Sequence, residues 1–118
     1  MAFPIRTKWL GPLAVVLLAA IAVATLVPAD WQIRLGLHWL VEHFLAYFAV
    51  TVIFCRAWPR PMAVAVVLLP VAVLLETAQG LTPDRTADPA TALSAATGVA
   101  AAALLADLIL ARGMRRKA

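Results

Sequence analysis

Four long apolar runs follow one another along the chain, and short segments with charges or prolines separate them. The runs cover about residues 9–27, 37–55, 62–79 and 89–111. A helix needs roughly 20 apolar residues to cross the hydrocarbon core of a bilayer. Each run therefore predicts one transmembrane helix, and the chain predicts an all-α membrane protein built as a four-transmembrane-helix bundle.

Prolines and polar residues mark where the predicted helices begin, bend and end. Pro59-Arg60-Pro61 predicts a tight turn between the second and third runs, because proline cannot continue a helix. Asp88-Pro89 predicts the start of the fourth helix, since aspartate accepts from the first amides and proline is tolerated there. Pro70, in the middle of the third run, predicts a kink.

The first run has a competing interpretation as a cleaved signal peptide. Its apolar stretch is longer than the roughly 7–15 residues of such a segment, and further spans follow it, so we favour a membrane helix.

Composition indicates lipid rather than water as the solvent. Hydrophobic residues make up 64% of the chain and charged residues 14%, whereas a soluble domain averages about 45–50% and 25%. A small domain buries only about two-thirds of its surface, so one core cannot hide this apolar excess. The single cysteine, Cys55, excludes an internal disulfide.

The basic residues are distributed unevenly. With four spans, both termini share a side with the middle loop, and that side holds eight of the ten basic residues. They are Arg6, Lys8, Arg56, Arg60, Arg112, Arg115, Arg116 and Lys117. Basic residues concentrate in cytoplasmic loops, so both termini are predicted to be cytoplasmic, with the protein in the inner (cytoplasmic) membrane. This placement explains the net charge of +4 without nucleic acid and favours contact with membrane lipid.

The acidic residues have the opposite bias, because five of the six fall at the outer ends of the helices or in outer loops. They are Asp30, Glu42, Glu76, Asp84 and Asp88. An ionisable group at the centre of a span costs about 2.5–3.5 kcal/mol on insertion scales, and such groups usually face the bundle interior and pair. The sequence therefore predicts a polar cluster in the outer leaflet.

Helical spacing selects the members of this cluster. His43 and Tyr47 share a helix face at four-residue spacing, and Glu76 and Gln79 share one at three-residue spacing. Apart from a protonated histidine and Arg34, Arg85 is the only cation near enough to neutralise Glu76 or Asp88. The predicted outer-leaflet polar site consists of His43, Tyr47, Glu76, Gln79, Arg85 and Asp88.

Simpler roles compete with a functional site. Asp88 could serve only as a helix cap, and Arg85 could only anchor its loop at headgroups. Tyr47 and Gln79 could only bond helix to helix.

Metal and cofactor chemistry is not expected. His38 is expected at the membrane interface, and it points about 140° away from His43 on a helix, so the two do not chelate together easily. The spacing of His38, Glu42 and His43 matches no metal-binding motif, and we predict neither a metal nor a cofactor.

The fourth run carries small residues at four-residue spacing. They are Ser94, Gly98, Ala102 and Ala106. Such a stripe lets helix backbones approach closely in lipid, and it offers a contact for a homo-oligomer.

Several of these motifs, in this order, resemble the VanZ-like family of integral membrane proteins. They are Glu42-His43-Phe44-Leu45-Ala46-Tyr47, Glu76-x-x-Gln79, Pro83-x-Arg85-x-x-Asp88 and Gly98. The family is named for an accessory protein of glycopeptide resistance linked to teicoplanin. The resemblance implies a single VanZ-like membrane domain over residues 1–118, whose polar positions are those of the predicted site. Thr91 and Ala95 stand where many members carry an aspartate and an asparagine.

The leading functional hypothesis is binding at the outer leaflet. The ligand would be an anionic or glycosylated envelope component, such as a lipid-linked cell-wall intermediate or a glycopeptide, with Arg85 meeting phosphate. A link to glycopeptide resistance is implied by the resemblance alone. The alternatives are a small oligomeric proton-coupled transporter, a lipid-modifying enzyme and a purely structural membrane subunit, so enzyme activity stays open.

Overall fold

A computed structural model describes residues 7–26, 38–81 and 89–117 of the chain. In these ranges the long helices are α1 (Thr7–Leu26), α2 (Trp39–Ala57), α3 (Pro61–Ala78) and α4 (Pro89–Lys117). A short 3₁₀ helix, Gln79–Leu81, follows α3. The all-helical prediction is confirmed for the described ranges, and each helix coincides with one apolar run. The largest difference is that α4 continues to Lys117 instead of ending near residue 111.

Three of the helices are long and apolar enough to cross a membrane. Among the described residues, the segments that meet this criterion are Leu40–Ala57, Pro61–Ala78 and Pro89–Met114. The apolar part of α1, Lys8–Ala24, is shorter. The architecture is therefore that of a membrane-type helical protein, and the crossing of α1 stays a prediction.

The ends of α2 are fixed by specific hydrogen bonds. At its start, Nδ1 of His38 accepts from the amide of Leu40 at 3.2 Å, which makes His38 the N-cap. At its end, the amide of Trp58 donates to the Phe54 carbonyl at 2.8 Å. α3 begins at Pro61, as the turn motif predicts, and it continues through Pro70, so the predicted kink stays a prediction.

α4 is the centre of the packing. It packs most extensively on α2 and next on α3, whereas α2 and α3 contact each other less, and α1 packs mainly on α2. One cluster of buried core residues consists of Tyr47, Cys55, Val64, Leu68, Ala72, Ala95 and Val99. Large apolar side chains such as Val66, Leu74 and Leu93 are exposed on the outer faces of the helices, as expected of surfaces that contact lipid.

The small-residue stripe of α4 faces α2 of the same chain. A Cβ atom added at Gly98 would lie 2.5 Å from the carbonyl oxygen of Phe44, so the two backbones approach closely there. One turn earlier, the Ser94 hydroxyl donates to the Leu40 carbonyl. The predicted close helix approach is confirmed at these two positions. A homo-oligomer through the stripe stays a separate prediction.

Candidate functional site

Glu76 is a buried carboxylate in the last turn of α3, with 1% of its surface exposed. The Tyr47 hydroxyl donates to its Oε1 at 3.2 Å. Its Oε2 lies 3.5 Å from Nε2 of His43. These three residues, His43, Tyr47 and Glu76, form what we call the Glu76 cluster.

Helix geometry brings the Glu76 cluster together. His43 and Tyr47 lie one turn apart on α2 and therefore face the same neighbour. The turn between Ala57 and Pro61 reverses the chain, so the start of α2 lies beside the end of α3. His43 is four residues inside α2, which places it roughly 6 Å along the helix axis from the first residue. The cluster therefore lies one turn inside the end of the bundle that is remote from the α2–α3 turn.

Packing holds the tyrosine of the cluster in one position. Tyr47 is 2% exposed and belongs to the buried core together with Ala72 of α3 and Ala95 of α4. Both alanines are fully buried, and their small side chains leave room for the aromatic ring. One turn further along α2, the buried Thr51 donates its hydroxyl to the Tyr47 carbonyl at 2.6 Å. The ring is therefore fixed where its hydroxyl reaches Glu76.

The electrostatics of the cluster depend on how a buried carboxylate is compensated. A buried charge is costly unless it is paired and hydrogen-bonded. Tyr47 supplies a hydrogen-bond donor to Glu76, and His43 supplies a positive charge when its imidazole is protonated. The cluster can therefore bind a proton, and its carboxylate can hold the His43 imidazole in a fixed orientation.

His43 connects the buried pair to the surface of the bundle. Its side chain is 24% exposed, whereas those of Glu76 and Tyr47 are almost fully enclosed. A ligand that reaches the cluster would meet His43 first. A carboxylate that orients a histidine also suits acid–base chemistry, because imidazole gains and loses protons near neutral pH.

The structure brings three of the six predicted site residues together: His43, Tyr47 and Glu76. Gln79 begins the 3₁₀ helix after α3, and its side chain lies outside the described part of the chain. Arg85 and Asp88 also lie outside the described residues, and with them the predicted neutralising cation and the predicted cap of α4.

Several supporting residues were missed by sequence reasoning. The four-residue stripe identifies Ser94 only as a small residue, but its hydroxyl donates a hydrogen bond to α2. The role of Thr51 has a signal in the sequence, because a threonine four residues after Tyr47 can bond its hydroxyl to the preceding turn. His38 is expected only at the membrane interface, and the structure shows that it also caps α2.

Acidic and metal-ligating residues elsewhere are sparse in the described ranges. Asp107 of α4 is exposed and lines a groove together with Arg60. Residues 7–26, 38–81 and 89–117 contain no group of three or more His, Cys, Asp or Glu side chains that could hold a metal ion.

Comparison with protein families, with curated proteins and with solved structures finds no match to this chain. The likeness to the VanZ-like family therefore rests on the sequence motifs alone and stays a prediction.

Proposed function

We propose that the chain is a VanZ-like, four-span membrane protein whose Glu76 cluster binds the polar headgroup of a lipid-linked envelope component at the outer leaflet. The observation that carries this proposal is the buried carboxylate of Glu76, held by Tyr47 and approached from the surface through His43. Ionisable residues inside a span are costly, and they are most often retained where they bind or transfer something.

The outer position of the cluster follows from the charges at the two ends of the bundle. Arg56 and Arg60 lie at the α2–α3 turn, and the basic C-terminal segment of α4 is at the same end. Basic residues favour the cytoplasmic side. The Glu76 cluster is at the other end and therefore belongs to the outer leaflet, with both termini in the cytoplasm if α1 also crosses.

The chemistry of the cluster fits a ligand with hydroxyl or phosphate oxygens. The His43 imidazole, which lies beside Glu76 and is partly exposed, can donate a hydrogen bond to such an oxygen. Arg85 follows the 3₁₀ helix by four residues in the sequence, and we assign it to the phosphate. The cluster lies one turn inside the end of the bundle, at the depth of the outer leaflet in this proposal. A headgroup carried on a lipid chain therefore reaches it more readily than a soluble sugar does.

The alternative is proton-coupled transport, and the same buried carboxylate favours it. A carboxylate beside a histidine inside a span is the arrangement that proton relays use. The two functions differ in what binds: the transporter moves protons through Glu76 and needs no lipid-linked headgroup.

Ligand binding to the full chain in lipid nanodiscs tests the proposal. The probes are a polyprenyl diphosphate carrying one sugar and a polyprenol without phosphate or sugar. His43→Gln and Glu76→Gln preserve side-chain size while removing the charge chemistry of the cluster. Thr77→Val is the matched control, because the Thr77 hydroxyl bonds within α3 to the Val73 carbonyl and not to the cluster.

Wild type and Thr77→Val should bind the sugar-linked diphosphate with equal affinity. Both cluster variants should bind it roughly tenfold more weakly, because each loses about one charge-assisted hydrogen bond to the ligand. Equal binding by all four proteins would refute the proposal. Proton flux in proteoliposomes that is lost only in Glu76→Gln, without any ligand binding, would establish the transporter instead.

A further inference from the structure

A second polar feature lies at the opposite end of the bundle from the Glu76 cluster. There the α2–α3 turn meets the last turns of α4, and an open groove of about 330 Å³ runs between them. Its lining includes Arg60, Met62, Asp107, Leu110 and Met114. The volume falls in the range of roughly 300–1,000 Å³ that small-molecule sites occupy.

The groove carries one positive and one negative side chain. Arg60 is exposed on the turn, and Asp107 is exposed on α4. Asp107 lies between Ala106 and Leu108, inside the apolar segment Pro89–Met114 that is long enough to span a membrane. A carboxylate in such a segment needs a partner with positive charge or hydrogen-bond donors.

The remaining walls of the groove are apolar. Met62, Leu110 and Met114 are all exposed. Methionine side chains adapt to irregular apolar surfaces, which suits a flexible hydrocarbon chain. Trp58, half-exposed on the adjoining turn, is typical of the level where headgroups meet acyl chains. The groove therefore combines a charged mouth with an apolar wall at the membrane interface.

We propose that this groove binds a zwitterionic phospholipid whose headgroup carries a primary ammonium, of which phosphatidylethanolamine is the simplest. The Arg60 guanidinium binds the phosphate, since its planar donors match phosphate oxygens. The Asp107 carboxylate accepts hydrogen bonds from the ammonium. Met62, Leu110 and Met114 pack against the first carbons of an acyl chain.

Other headgroups satisfy only part of the groove. Phosphatidylcholine has a phosphate for Arg60, but its trimethylated ammonium has no N–H to donate to Asp107. Phosphatidylglycerol has a phosphate and no cation, so Asp107 repels it. The pair of charges thus selects for the primary ammonium, independently of what the Glu76 cluster binds.

Native mass spectrometry of the full chain tests the proposal by measuring lipid binding. The probes are the dioleoyl forms of phosphatidylethanolamine, phosphatidylcholine and phosphatidylglycerol. Wild type should bind phosphatidylethanolamine more tightly than phosphatidylcholine, on the order of tenfold, because only the primary ammonium donates a charge-assisted hydrogen bond to Asp107. Asp107→Asn should reduce this preference to less than about twofold, and Arg60→Gln should weaken the binding of both lipids.

The control is Arg112→Gln, which removes an exposed positive charge at the same end of α4 but outside the groove lining. It should leave the preference unchanged. Equal binding of phosphatidylethanolamine and phosphatidylcholine by the wild type would overturn the proposal. Tightest binding of phosphatidylglycerol, or an intact preference in Asp107→Asn, would overturn it as well.

Discussion

The hydroxyl of Tyr47 donates a hydrogen bond to Oε1 of Glu76 over 3.2 Å and so joins α2 to α3 in the interior of the bundle. Both residues are almost fully buried. The two helices otherwise contact each other less than either contacts α4. This hydrogen bond and the approach of His43 Nε2 to Glu76 Oε2 at 3.5 Å both connect the buried carboxylate to α2.

Removing the Tyr47 hydroxyl should weaken the bundle. We expect Tyr47→Phe to lower the free energy of unfolding by about 1 kcal/mol, since interhelical hydrogen bonds in membrane proteins average about 0.6 and reach about 1.7 kcal/mol. Steric trapping in bicelles measures this quantity. Thr77→Val is the control, because its hydroxyl bonds only within α3, and it should change stability less. Equal stability of wild type and Tyr47→Phe would show that the contact is energetically neutral.

Two glycines of α4 should respond in opposite directions to the same substitution. At Gly98 an added Cβ would lie 2.5 Å from the Phe44 carbonyl oxygen and 3.2 Å from the Phe48 amide nitrogen, so the backbones of α2 and α4 must separate. Gly98→Ala should therefore destabilise the protein by about 1–3 kcal/mol. At Gly113 nothing lies within 4 Å of the added atom.

Gly113→Ala should be neutral or stabilising by up to about 1 kcal/mol, because alanine favours the helix over glycine. Unfolding free energies of the two variants, measured side by side, separate the effects. If Gly98→Ala were as stable as Gly113→Ala, the result would contradict the close backbone approach of α2 and α4 at Gly98.

The membrane topology can be tested with single cysteines. In a Cys55→Ser background, Leu81→Cys should react with an impermeant maleimide added to intact cells, because Leu81 is exposed just after α3. Thr7→Cys and Lys117→Cys should react only after permeabilisation if α1 crosses the membrane and both termini are cytoplasmic. Labelling of Thr7→Cys in intact cells would instead show that α1 lies on the outer face and that the protein has three spans.

The helices could be predicted from the sequence because lipid imposes a simple length and polarity rule on each of them. The turn at Pro59-Arg60-Pro61 and the start of α4 at Pro89 were predicted for the same kind of reason: proline restricts its own backbone whatever surrounds it. At its C-terminal end, α4 continues beyond the fourth apolar run to Lys117. Charged residues mark the end of a span, and a helix can continue past the membrane into water.

The candidate site could be predicted only in part. Helical spacing put His43 and Tyr47 on one face, and both reach Glu76. The partner on another helix could not be assigned from spacing, because it depends on how α2 and α3 pack against α4. The roles of Ser94 and Thr51 depend on that packing in the same way, since a hydroxyl finds its acceptor only once the helices are in contact.

The most direct test of the central claim, that His43 and Glu76 act as one ligand-binding unit, is a double-mutant cycle on binding of the sugar-linked polyprenyl diphosphate. The four proteins are wild type, His43→Gln, Glu76→Gln and the double variant, compared in the same nanodiscs. Residues that share one site couple, so the double variant should bind about as weakly as the weaker single variant, with a coupling energy of at least about 1 kcal/mol. Losses that add to within about 0.5 kcal/mol would show that the two residues act independently and would contradict a common site.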